Sequence, residues 1–487
     1  MFYAVWRISI CSSFFYASTL WILLAKEVTA LSNDKMLDAI VIGCGASGIA
    51  ALTKLHQAGL KVVGLEAADR IGGRIHTVDF GASTVDLGAE WCEGDRNNIV
   101  YDLAYPYGLL EWNDRRTKHY VLSDGNLVTN EVAAPIVTGL SSAVLSADKT
   151  GSLSVLDVIE NAGNSSEILQ RDPHLTKSFV EWYERTNQVG GQVDRREALS
   201  LKVVSGGQRM LHWKQGGYRN ILDILLNRYP DPSKEVSVQI YLNKEVTNIN
   251  WRPNQAHVLV TCKNGEEYKA KSVIVTSSVE VLRERYAQLF SPPLPAEKVN
   301  VINNLRLCTL GKIFIEFTAP WWPETSGSFN ILWRDEDKEQ FVGNNEWVTE
   351  IYALHTVANQ PNVLIAWTYG RGAIAMERTE LEDIEAGIKK LLDFTLKRHY
   401  NVTQIKSIVR TQWGTNPFIK GSFAYRTVAF EESGDDVAAL KEPLNHEDGS
   451  PAVLFAGDAT ELDHGAVHGA IQSGFREADR LIKSLKV

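Results

Sequence analysis

The sequence predicts an α/β protein, and three observations carry that expectation. An apolar run, "AIVIG", leads into a glycine loop and then into a segment with helical apolar spacing. A second apolar run, "AVLFAGD", and a long amphipathic segment close the chain. Between them lies enough sequence, in a chain of 487 residues, for two or three domains around a large core. Hydrophobic residues at 44% and charged residues at 22% are ordinary for a soluble globular chain. A formal net charge of −9 argues against nucleic-acid binding, which leaves a basic footprint.

The N-terminus differs from the rest. Arg7 is the only charge before Lys26, and "ISICSSFFYASTLWILLA" between them is mostly apolar. "VTA" at Val28 to Ala30 has the small-x-small form of a signal-peptidase site. Residues 1–30 therefore read as a secretory signal peptide, with an uncleaved membrane anchor and a core helix as alternatives. Without that anchor no stable membrane contact is expected. Sequons at Asn164 and Asn401 fit a luminal, glycosylated and secreted protein. Of the five cysteines, Cys11 falls in the leader, Cys44 lies in the glycine loop and is expected buried and unpaired, and none forms a metal-binding cluster.

"DAIVIGCGASGIAAL" carries the first functional signal. "SGIAALTKLHQAG" predicts a helix with Ile49, Leu52 and Leu55 on one face and Gly59 beyond its end. "LKVVGLE" predicts a second strand ending at Glu66. The glycines thus sit between strand and helix, as dinucleotide binding requires. Gly43 permits the turn, Gly45 admits the diphosphate, and Gly48 lets helix and strand pack closely. Ala46 and Ser47 open the helix, whose free N–H groups face the phosphates. Glu66 stands where a ribose-binding carboxylate belongs. Downstream, "EAADRIGGRIHT" adds a second glycine turn and Arg74, whose guanidinium suits phosphate; a solvated surface arginine is the plainer alternative.

This E-x(5)-G-G-R arrangement, the closing strand, "DHGAVHG", "KQGGYRNILDIL" and "KSVIVTSSVEVL" occur in an order that resembles the flavin-containing amine oxidase superfamily, nearest its polyamine and spermine oxidase branch. The resemblance runs from about residue 38 to 484. It implies a Rossmann-like, GR2-type FAD-binding domain interleaved with an α+β substrate domain, the amine oxidase fold. The FAD domain would comprise 36–100, 205–290 and 446–487, and the substrate domain 101–204 and 291–445. FAD would be noncovalent, since "DHGAVHG" has no cysteine. Gly457 and Asp458 would meet the ribitol, although the family usually has Glu at the latter position. Val246 would lie near the adenine through its backbone. Val467 would offer its N–H to the flavin ring, with the helix N-terminus favouring negative charge there. His468 reads better as a packing or capping histidine.

The family's distinguishing lysine corresponds to Lys312, in "LGKIFIEF". In "GAEWCEG", Trp91 and Glu93 match positions that line the substrate channel, Glu93 as an anchor for a distant ammonium; Glu90 is expected to be a local salt-bridge partner. Trp413 and Phe423 would supply aromatic walls, which attract cations by about 0.5–2 kcal/mol each. Two departures stand out. Related polyamine oxidases carry aromatic residues where this chain has Leu310 and Ala466. Either the substrate is bulkier than a thin polyamine or other aromatics form the walls. The implied activity is oxidation of an amine by oxygen to an amine, an aldehyde and hydrogen peroxide. The alternatives are an L-amino-acid oxidase, a chromatin amine demethylase, for which this chain lacks added modules, and a secreted flavoprotein without turnover.

Overall fold

The computed structural model describes residues 36–112, 117–147, 154–165, 171–186, 210–461 and 465–485. The leader expected at 1–30 lies outside these residues. Among the described residues two large sheets organise the chain.

The first sheet has nine strands. Leu37–Ile42 lies inside it, parallel to Val62–Leu65 on one side and to Glu267–Val275 on the other, and Gln239–Tyr241 continues it beyond Val62–Leu65. The long strand Glu267–Val275 serves two further neighbours. Its first half pairs antiparallel with Val258–Cys262, and its second half pairs parallel with Pro451–Phe455. The last strand in sequence is therefore brought into the same sheet as the first. Near-continuous apolar strands are what burial on both faces demands, and Ala39, Ile40 and Val41 are fully buried. One face packs against the helices Ala46–Gln57 and Val467–Ser484 through Ile49, Leu52, Leu55, Ile471 and Leu481. Those two helices touch at Gly474, where a Cβ would stand 2.2 Å from the Ser47 carbonyl oxygen. Ser473 sits beside the contact, its hydroxyl 3.1 Å from that of Ser47 and accepting the Gly457 N–H at 2.8 Å.

The second sheet has seven strands, in the order Ile405–Arg410, Leu310–Phe317, Gln360–Tyr369, Ala353–Val357, Ser326–Leu332, Thr117–Leu122 and Leu127–Val128. All neighbours are antiparallel except Ser326–Leu332 and Thr117–Leu122. Side chains alternate between its faces. Ile313 and Ile315 join Ile384, Ile388 and Leu391 of the helix Leu381–Thr395. Phe314 joins Ile365, Trp367 and the helices Asn130–Ser146, Val155–Ser165 and Pro173–Thr186.

Short ladders lie beside the two sheets. Thr77–Phe80 pairs with Ser83–Asp86, and Met210–Trp213 lies between Cys92–Glu93 and Leu110–Trp112. Among the described residues no helix is long and apolar enough to cross a membrane, no group of His, Cys, Asp and Glu has metal-binding geometry, and no disulfide joins Cys44, Cys92, Cys262 and Cys308.

Candidate active site

One cavity is lined by the glycine loop and Val246 and also by Lys312, Trp91 and Glu93. The loop residue Gly43 has φ +91°, a conformation costly for any residue with a Cβ. The helix Ala46–Gln57 begins with no side-chain cap and no acidic residue in its first turn. Its first N–H groups and the positive end of its dipole are thus left for an anion, and Ala46 and Ser47 line the cavity there. Gly48, grouped by sequence with the cofactor-binding glycines, does not itself line the cavity. Its missing Cβ would stand 1.9 Å from the Gly43 carbonyl oxygen, so it permits the packing of helix on loop.

Glu66 is 8% exposed and lines the cavity just past the strand Val62–Leu65. Backbone donors hold its carboxylate: Cys44 N–H at 2.7 Å and Ala68 N–H at 2.9 Å. The carboxylate is thereby fixed before any ribose arrives. Burial, with a smaller contribution from Glu66, pushes the Cys44 thiol up, so this buried thiol is inert. The second glycine turn is tied to the first by Gly72 N–H to Cys44 carbonyl, 2.8 Å. Arg70, which local sequence did not single out, pins that turn by donating to the Gly73, Ile71 and Ile75 carbonyls at 2.8, 3.1 and 3.2 Å.

Arg74 and Asp458, expected to meet different parts of the cofactor, meet each other. Arg74 donates to both Asp458 oxygens, one of them at 2.8 Å, and to the Ser422 carbonyl at 3.0 Å. Both side chains still line the cavity. The pair joins the second glycine turn to the loop after the last strand, a contact between remote segments that local spacing does not reveal. Gly457 and Val467 line the same wall, and so does His468, which is 5% exposed in the first turn of Val467–Ser484.

Lys312, the third residue of Leu310–Phe317, is 4% exposed. Its ammonium donates to the Asp86 carbonyl at 3.0 Å, the Gly88 carbonyl at 2.8 Å and Glu90 Oε2 at 2.7 Å. It also lies 4.8 Å from the ring centroid of Trp367, its register partner on Gln360–Tyr369. Trp91 stacks on Trp367 with centroids 5.6 Å apart and planes 21° from parallel. Leu310 and Ala466 line the same cavity as this tryptophan stack, which supplies aromatic wall that the sequence alone did not show. Trp367 went unrecognised because only strand pairing brings it to Lys312.

Trp413 donates its indole N–H to the Leu87 carbonyl at 2.9 Å. Its loop is held by Glu377, 1% exposed, which accepts the N–H groups of Trp413, Gly414 and Thr415 at 2.7, 3.0 and 2.7 Å. Phe423 is half-buried against the same cavity. Glu93 stands exposed at the cavity, opposite Met210 in the small ladder. Beneath Lys312, the Asp86 carboxyl is pushed up to about 7 by burial, against the pull of Thr77 and the Tyr218 N–H. His76, half-buried near Trp413, is driven down to about 4, chiefly by burial.

Comparison with known proteins agrees with this geometry. The family model for flavin containing amine oxidoreductase matches residues 46–482. Probable polyamine oxidase 5 of Arabidopsis thaliana is 27% identical, over 92% of this chain and 98% of that one. The peroxisomal N(1)-acetyl-spermine/spermidine oxidase of Homo sapiens is also 27% identical, over 91% of this chain and 94% of its own. Among solved structures, a double mutant of putrescine oxidase redesigned in its cofactor binding superposes with a TM-score of 0.65 at 18% identity, over 92% of this chain and 99% of that one, and shows the shared fold. The uncapped helix, the fixed Glu66 carboxylate and the cavity leading to Lys312 suit FAD, so the chain belongs to the flavin-containing amine oxidoreductase family and is an FAD-dependent amine oxidase.

Proposed function

We propose that the chain oxidises a polyamine, spermine, spermidine or an acetylated form, with oxygen as acceptor, and that its FAD is held noncovalently. The observation that carries this is the one cavity that Lys312, the Trp91–Trp367 stack and Glu93 line together with the glycine loop. No cysteine among the described residues lines it, which supports noncovalent binding. Bound FAD supplies the two-electron acceptance that turns the carbon–nitrogen single bond of an amine into a double bond, which water then opens to aldehyde and amine.

The chain's own residues do the rest. The helix N-terminus at Ala46 and Ser47, together with Glu66, would hold the diphosphate and ribose. Gly457 would meet the ribitol and Val467 the flavin ring, in the cavity that Lys312 also lines. Trp91, Trp367, Trp413 and Phe423 exclude water from the methylene chain. That exclusion lowers the proton affinity of a reacting amine from its ordinary value of about 10.4, and oxidation needs the neutral amine. Glu93 takes the far ammonium.

Glu93→Gln is accordingly expected to raise KM for a diamine about 3- to 5-fold and to leave KM for a monoamine of equal length unchanged. Steady-state peroxide assays on both substrates measure it, and equal changes for the two would remove the anchoring role.

An L-amino-acid oxidase would need a guanidinium for the substrate carboxylate. The described arginines at the cavity are committed elsewhere: Arg70 to backbone carbonyls, Arg74 to Asp458 and Arg285 to Glu245. A peroxide assay with spermine, N-acetylspermine and a panel of L-amino acids separates the two. Turnover of the polyamines alone is expected, and turnover of amino acids alone would reverse the assignment.

The proposal extends to the secretory pathway. The apolar segment before Lys26 and the exposed sequon residues Asn164 and Asn401 support it. A glycosidase-sensitive mass shift of the secreted protein tests it, and retention of an unglycosylated protein in the cytosol would contradict it.

A further inference from the structure

The Lys312 ammonium has three protons and three protein acceptors. Two of these are backbone carbonyls, those of Asp86 and Gly88, and they carry no net charge. The third, Glu90 Oε2, is a carboxylate, and the pair is well enclosed, with side chains 5% and 16% exposed. Among the described residues, Glu90 Oε2 is the oxygen bound to Lys312, and no partner is found for Oε1. Glu90 also lines the cavity. The carboxylate thus binds the lysine with one oxygen, and the residue that carries it lines the space a substrate would enter.

That placement matters for charge. A polyamine brings two or more positive charges into a cavity that already contains a lysine ammonium. Two unit charges about 6 Å apart, at an effective dielectric of about 20, repel by enough to weaken binding on the order of 10²-fold. The other acids near the lysine do not offset this in the same way. The Asp86 carboxyl is turned to the Tyr218 N–H and the Thr77 hydroxyl, and Glu93 lies in the separate Cys92–Glu93 strand.

We propose that Glu90 is the positioning and charge-compensating residue of Lys312: it fixes the ammonium against the Asp86 and Gly88 carbonyls and cancels its charge toward the cavity, so that a cationic chain can occupy the space beside it. This rests on the amine oxidase assignment and deepens it, since it makes the pair Lys312–Glu90, rather than Lys312 alone, the unit that sets which chains enter.

The test reads binding. The probes are a bis(trimethylammonium) alkane, which has no nitrogen lone pair and cannot be oxidised, and an uncharged diol of the same length. Calorimetry on purified holoenzyme is run for wild type, Glu90→Gln and the double variant Glu90→Gln/Lys312→Met, with flavin content and thermal unfolding recorded for each. In Glu90→Gln the Kd of the bis-cation is expected to rise 10- to 100-fold while that of the diol stays within about threefold. In the double variant, which again carries no net charge at the pair, the Kd of the bis-cation is expected to return to within about threefold of wild type.

Equal weakening of both probes, no weakening of either, no binding of the bis-cation by wild type, or no recovery in the double variant would each overturn the proposal. Anaerobic reduction of the same wild-type preparation by spermine is scored separately. A wild type that is reduced by amines while Glu90→Gln binds like wild type removes the role of Glu90 and leaves the enzyme assignment intact. A wild type that binds the bis-cation but is never reduced removes the assignment and leaves the charge compensation.

Discussion

Lys312→Met is expected to lower kcat about 10²- to 10³-fold, the order of effect of removing one preorganised electrostatic group from a dry reaction site. FAD content is expected not to change, because the glycine loop, Glu66 and the uncapped helix, which would hold the diphosphate and ribose, do not touch Lys312. The same substitution leaves the Asp86 and Gly88 carbonyls without their donor and Glu90 without its cation. Breaking an enclosed ion pair from one side costs about 3–5 kcal/mol, so a lowered unfolding temperature should accompany the slower turnover. Stopped-flow and thermal unfolding on the same sample check both. A variant that turns over within threefold of wild type would show that the ammonium only supports the structure.

Gly48→Ala is expected to abolish FAD binding. The new methyl would sit 1.9 Å from the Gly43 carbonyl oxygen and 3.0 Å from its carbon, and backbone atoms cannot rotate aside as a side chain can. The helix Ala46–Gln57 would have to move away from the loop, carrying the diphosphate-binding N–H groups with it. A colourless or insoluble protein is the expected outcome, read by the flavin to protein absorbance ratio. Gly139→Ala is the control. Gly139 lies inside the helix Asn130–Ser146 with nothing within 4 Å of its Cβ position, so alanine there should be neutral or stabilise by about 0.5–1 kcal/mol. Full FAD occupancy in Gly48→Ala would refute the close-packing account of the loop.

What could be read in advance follows from which forces act locally. The first strand, the loop and the helix after it are contiguous, so apolar periodicity and glycine placement are enough to place them. The helix was expected at "SGIAALTKLHQAG" and runs Ala46–Gln57. The long amphipathic segment that closes the sequence forms the helix Val467–Ser484, which buries Ile471, Ala478 and Leu481 and packs Phe475, Ile482 and Leu485 partly buried beside them. The site itself depends on contacts between remote segments. Trp367 meets Lys312 only because Gln360–Tyr369 pairs with Leu310–Phe317 in one register. Arg74 and Asp458 were assigned separate partners because nothing along the chain shows that their segments converge. Glu377 holds the Trp413 loop from a helix that carries no functional motif. Local pattern thus sufficed for the dinucleotide half, while the catalytic end waited on sheet register and loop packing.

The central claim is that one folded chain holds FAD with Lys312 at the reacting end of the cavity and uses it on amines. Anaerobic titration of the purified protein with spermine, followed by its visible absorbance, tests this most directly. The account predicts a yellow protein whose flavin absorbance is bleached by the amine and returns on admission of air with formation of hydrogen peroxide. A protein that is colourless after reconstitution with FAD, or one whose colour no amine removes, would contradict it.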